Sequence, residues 1–198
     1  MPSLASRIVE HVSVLPEAAP VCPAALLHLG SRAAVDQALS RLVHAERLMR
    51  VCRGVYMRPV ETRFGFRAPT VEKAIASLAA LWGETIVPSG GAAANTLGLT
   101  MQIPVEPVYL TSGPSRRLSF YRLLVRLRHA PRWQLAAPTR RAGDLIRALA
   151  WLGRDEVEDV LSRAASRLTG NDLAELMAAR ATMPGWMATA VSALGPND

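Results

Sequence analysis

Lysine is almost missing from this 198-residue chain: Lys73 stands alone among 23 basic residues, and arginine supplies the rest. GC-rich codons favour Arg, Ala and Gly, so the skew alone carries no functional weight. Cysteine is scarce too. Cys22 and Cys52 are the whole set and lack CxxC spacing, which excludes a disulfide scaffold and favours a reducing compartment. Long apolar runs are absent. No stretch approaches the ~18 apolar residues of a membrane span. The opening MPSLASRIVEHVSVLP has neither the basic start nor the apolar run of a signal peptide. A cytoplasmic protein without a membrane partner is the expectation. His11, His28, His44 and His129 are scattered without metal-ligand spacing, so no metal and no cofactor is expected.

What is present is a folding composition: half the residues are apolar and a fifth are charged, which argues against disorder. The net charge of +7 is unevenly spread. Residues 1–68 carry nine arginines against five acids, and residues 69–141 carry nine basic groups against three acids. Residues 142–198 reverse the sign, with five arginines against eight acids. A basic surface over the first two thirds suits a polyanion such as nucleic acid.

The first sixty residues follow one pattern. Leu4, Ile8 and Val12 recur at helical spacing, and Pro16 and Pro20 close that helix. Pro23 suits the first turn of a short second helix carrying Ala24, Leu27 and His28. Gly30 marks the tight turn that follows, and Ser31 can cap a third helix over about residues 32–47. In that helix Val35, Ala38, Leu39, Leu42 and Val43 form an apolar stripe that must face the core. The opposite face carries Ala33, Gln37, Ser40, Arg41 and His44, with Arg32 at its start. A small residue, an amide, a hydroxyl and a guanidinium suit the base edges of a DNA major groove. Leu48, Val51, Val55 and Tyr56 then flank the turn residues Arg53 and Gly54, and Pro59 ends the hairpin. Arg50, Arg53 and Arg58 would reach the phosphate backbone from this wing.

The expected architecture is therefore α+β: a winged helix-turn-helix over residues 1–61, a linker at 62–69, and a second α+β domain over 70–198 with a mostly helical end. The second domain starts with a helix at 70–82 and a strand at 85–87. The glycine-alanine stretch 89–98 forms a closely packed helix, and further strands lie at 107–111 and 124–128. Helices over 139–152, 155–168 and 184–194 complete it, with another capped by Asn171. Arg63, Arg67, Arg116, Arg117, Arg126 and Arg128 extend the basic surface.

Chemistry finds little purchase. Ala92–Ala94 follow the Gly90–Gly91 pair where a phosphate loop needs Lys-Ser/Thr. The stretch 89–104 has no carboxylates to hold Mg²⁺. Asp155, Glu156, Glu158 and Asp159 crowd a helix start, where they offset its dipole. No nucleophile, base and orienter can be assembled, so no catalytic residue and no enzyme is expected.

The winged-helix segment, the run TLGLTMQIPVEPVYLTSGPSRRLSF from Thr96 to Phe120, LVRLRHAP and RALAWLG together resemble the AbiEi family of antitoxins. The resemblance runs from about Arg7 to the MPGWM segment at Met183–Met187. It implies a two-domain antitoxin of a type IV toxin–antitoxin pair. The winged helix would bind inverted repeats in double-stranded promoter DNA and repress its own operon. The C-terminal domain would counter an AbiEii-type nucleotidyltransferase toxin, a functional rather than stably bound partner. DNA contacts carried over fall on Gln37, Ser40 and Arg41, with Arg50, Arg53 and Arg58 in the wing. The expected species is a monomer in solution that binds DNA cooperatively. Two alternatives stay open: a one-component regulator whose second domain senses a ligand or dimerises, and an enzyme acting on nucleic acid.

Overall fold

The computed structural model describes residues 2–102 and 105–194. Ile103 and Pro104, inside the central run that carries the resemblance, lie outside them, as do residues 195–198.

The Ser3 hydroxyl accepts the Ser6 amide and starts α1 (Leu4–Ser13), which buries Ile8 and Val12. A two-residue strand, β1 (Pro20–Val21), comes next. The expected second helix is only one 3₁₀ turn, Pro23–Leu26, which buries Pro23 and Leu26. Leu27, placed on that helix from the sequence, is 47% exposed, because the tighter three-residue turn puts Leu26 inward instead. Ser31 caps α2 (Arg32–His44), accepting the Ala34 amide. That helix stops three residues before its expected end. Glu46 adopts φ 55°, the Arg47 amide reaches back to the Leu42 carbonyl, and the Glu46 amide to that of Val43. This is a Schellman stop in a residue other than glycine.

The chain then pairs β2 (Met49–Cys52) with β3 (Val55–Met57) around Gly54, whose φ of +74° is a conformation side chains disfavour. β1 adds to β3, giving the antiparallel order β1-β3-β2. Ile8, Val12, Val21, Leu26, Val35, Ala38, Leu39, Leu42, Leu48 and Tyr56 form one buried cluster.

The linker expected at 62–69 holds structure instead. β4 (Val60–Thr62) and β5 (Gly65–Arg67) form a second hairpin, with Glu61 opposite Phe66. The Thr62 hydroxyl donates to the Gly65 carbonyl and accepts the Phe64 amide, making the turn locally. α3 (Val71–Trp82) follows.

Beyond it lie β6 (Ile86–Pro88), α4 (Gly90–Thr96), β7 (Val108–Thr111), β8 (Arg116–Phe120) and β9 (Leu123–His129). The sheet order is β6-β7-β9-β8. β6 and β7 are antiparallel, while β7 and β9 run parallel with Tyr109 opposite Leu127. β8 was not expected from the sequence. A 3₁₀ turn (Arg132–Leu135) leads to α5 (Arg141–Leu152), α6 (Val157–Ala165), α7 (Gly170–Ala179), a 3₁₀ turn (Arg180–Thr182) and α8 (Gly185–Ser192). Thr169 caps α7 in place of the expected Asn171: its hydroxyl accepts the Asp172 amide and the Asp172 carboxylate accepts the Thr169 amide. The protein is mixed α+β, with several small sheets and a helical C-terminal end.

Contacts divide the chain into two compact units: Met1–Gly83 with Arg117–Val125, and Glu84–Arg116 with Arg126–Asp198. The first unit runs past the expected boundary, so α3 belongs to it and does not open the second. In the second unit a buried cluster of α5, α6, α7 and α8 centres on Leu145, Ile146, Leu149, Leu176 and Met187. α4 lies against α5 there. A Cβ on Gly90 would sit 2.3 Å from the Arg147 carbonyl oxygen, so the glycine-alanine stretch is a close-packing device. Among the described residues no helix is long and apolar enough to cross a membrane.

Candidate nucleic-acid interface

The outward face of α2 follows from its inward one. Val35, Ala38, Leu39 and Leu42 are buried, and helical geometry turns Ala33, Gln37, Ser40, Arg41 and His44 to the other side, where all five are exposed. Gln37, Ser40, Arg41 and His44 make no side-chain hydrogen bond or ion pair among the described residues. Their donors and acceptors are free for a partner. Arg32 is spent: its Nε donates to Asp36 at 2.9 Å in an exposed i,i+4 pair. Asp36 was not singled out from the sequence, although its spacing from Arg32 was the available signal. The pair neutralises an acid at the rim of this face, though an exposed pair adds little stability.

The hairpin brings out two of its three expected arginines. Arg50 is exposed between buried Met49 and Val51, opposite Tyr56. Arg53 is exposed in the turn beside Gly54. Neither has an ion-pair partner among the described residues. Arg58 lies beyond the strand and turns back, its Nη2 donating to the Leu15 carbonyl at 3.5 Å. It marks the base of the hairpin rather than its tip.

The additional basic positions are mostly occupied. Arg63 lies 4.6 Å over the Phe64 ring. Arg67 pairs with Glu17 at 3.6 Å, and Lys73 holds the other carboxylate oxygen. The Lys73 hydrogen bond is the main reason that Glu17 titrates below the usual carboxylate range, with Arg67 adding to it. Arg116 is bound by Glu84, and Arg126 by Glu106 at 2.6 Å. Arg117 and Arg128 stay exposed. Charge counted along the sequence therefore overstates the open basic surface, because Glu17, Glu84 and Glu106 each engage an arginine that only the fold can identify.

The scattered histidines resolve in part: His11 and His28 come within 5.3 Å, ring centre to ring centre. Among the described residues no group of three or more His, Cys, Asp or Glu could hold a metal. Cys22 and Cys52 are half-buried and form no disulfide. One buried charge gave no sequence signal. Arg147, 1% exposed, donates to Asp144 at 2.7 Å and to the carbonyls of Gln134 and Pro138 at 3.4 Å. Burial lowers its pKa, opposed by Asp144. It ties the second 3₁₀ turn to α5 and is a structural staple.

No curated protein and no solved structure matches this chain. Residues 7–173 match the family of unknown function DUF6088, and the chain belongs to that family.

Proposed function

We propose that this chain is a DNA-binding repressor whose α2 reads base edges as the recognition helix of a winged helix-turn-helix. The observation that carries it is the exposed, unpartnered face of Gln37, Ser40 and Arg41 opposite a fully buried stripe. An amide and a guanidinium on one helix face match the acceptors and donors of purine edges. The order α1, 3₁₀ turn, α2, hairpin supports the winged-helix reading, with Arg50 and Arg53 as phosphate contacts. On the resemblance to the AbiEi antitoxins, the operator is an inverted repeat in its own promoter, and the second unit counters a nucleotidyltransferase toxin encoded beside it.

Gel shifts on the chain's own promoter and on random duplex test the DNA reading. Arg41→Ala weakens operator binding by roughly 1–3 kcal/mol and relaxes base preference. Arg53→Ala weakens both duplexes about equally and lowers the salt slope by about one. Equal loss on both duplexes for Arg41→Ala would demote it to a phosphate contact, and no binding by the wild-type chain would overturn the reading. Co-expression with the neighbouring gene product tests the antitoxin role, which fails if that product is not toxic.

A second reading, a one-component regulator with a ligand-sensing second unit, is favoured by one observation: a cleft of about 580 Å³ within that unit.

A further inference from the structure

The 580 Å³ cleft lies where β7 and β9 end. Ser112 follows β7, His129 ends β9, and the two strands run parallel. A crevice outside the carboxyl ends of parallel strands is where open sheets place ligands. Its volume falls in the range of small-molecule sites. Pro131, Leu135, Ala136 and Ala179 supply an apolar lining.

The polar groups at its rim are fixed in advance. The Thr85 amide donates to the Ser112 hydroxyl, and the Ser112 amide donates to the Thr85 carbonyl, both at 3.0 Å. The His129 amide donates to the Ser115 hydroxyl at 2.8 Å. The His129 Nδ1 lies 2.9 Å from the Gly113 carbonyl. A carbonyl can only accept, so Nδ1 carries the proton and Nε2 is left as an uncommitted acceptor. A ring held this way costs a ligand little ordering entropy.

Charge decides the ligand. No carboxylate is among the lining residues, whereas Arg132 is. Arg132 is exposed and has no ion-pair partner among the described residues. The acid beside Thr85, Glu84, already accepts from Arg116 and from the buried Thr111 hydroxyl, so it does not compete for Arg132.

We propose that this cleft binds a small organic anion with an apolar body, its acid group on Arg132 and an adjacent N–H or O–H on His129 Nε2. The proposal deepens the ligand-binding part of the second reading and needs no DNA, so it can fail or stand apart from regulation. The probe is 8-anilinonaphthalene-1-sulfonate, which carries a sulfonate beside an N–H on an apolar body. Fluorescence titration of the full chain should give one saturable site. Arg132→Ala should raise Kd about tenfold or more, the size of a charge-assisted hydrogen bond, and His129→Phe about fivefold. Arg122→Ala, in the other unit, should leave Kd unchanged. Circular dichroism checks that each variant folds, with Arg132→Gln replacing any alanine variant that does not. N-phenyl-1-naphthylamine, which keeps the apolar body and N–H but lacks the sulfonate, should bind at least tenfold more weakly. Equal binding of that neutral analogue, unchanged Kd in the Arg132 variants, or no saturable site would each overturn the proposal.

Discussion

At Gly90 the missing side chain is the functional part of the residue. A methyl group there would meet the Arg147 carbonyl oxygen at 2.3 Å and Trp151 Cβ at 2.5 Å, so α4 or α5 would have to move. Gly91 is less constrained, with its nearest neighbour a Trp151 ring atom at 3.3 Å. Gly90→Ala should destabilise the protein by about 1–3 kcal/mol, the usual cost of overpacking. Gly170→Ala is the matched control: it lies in α7, and a Cβ there meets nothing within 4 Å. Helix propensity makes that change neutral or stabilising, by up to about 1 kcal/mol. The urea midpoint should fall for Gly90→Ala and hold or rise for Gly170→Ala, and a neutral Gly90→Ala would mean the helices separate at no cost. The same contact accounts for a glycine pair that could otherwise suggest phosphate binding.

At the scale of the element, α7 shows how a helix start couples to pH. The Thr169 hydroxyl and amide both donate to Asp172, and with Arg141 and Arg140 nearby they hold its carboxyl below the ordinary value of 3.8. A lowered folded pKa contributes stability that is fully present above the unfolded value and is lost as pH falls through the folded one. Asp172→Asn should therefore lower the urea midpoint at pH 7, and the gap to wild type should narrow below about pH 3.8. A gap that stays constant across that range would remove the carboxylate from the cap. Most helices were legible in the sequence because apolar spacing and capping residues mark them. The ends that misled lacked a local flag. α2 stops at a left-handed Glu46 where glycine is the usual marker. β8 pairs with β9 across a two-residue turn whose left-handed residue is Tyr121 and not glycine, and the Glu84–Arg116 pair spans 32 positions. The α2 face was readable because a helix presents its sides by arithmetic. The cleft at His129 and Arg132 was not, because three strand ends and a turn converge there only after folding.

For the whole molecule, the division into units sets which fragments are self-sufficient. The first hydrophobic cluster lies wholly between Ile8 and Tyr56, so a fragment of residues 1–68 has a core. That core is small, and chains of this size are marginally stable. Residues 1–83 add α3, which packs against β1 and joins the Glu17 carboxylate through Lys73. The urea midpoint should rise from 1–68 to 1–83, and equal midpoints would mean that α3 is only a tether. Both fragments lack Arg117–Val125, whose Phe120, Tyr121, Arg122 and Leu123 share a cleft of about 690 Å³ with Glu46, Phe66 and Ala68.

This discontinuity has a consequence for translation. The first unit is assembled from two stretches of chain, so it is incomplete when Gly83 leaves the ribosome and closes only once Val125 is available. At roughly 5–20 residues per second, the intervening stretch delays that closure by a few seconds. A nascent chain stalled before Arg117 would lack Leu118 and Phe120, both buried in the full-length chain, and would leave their neighbours in the first unit uncovered.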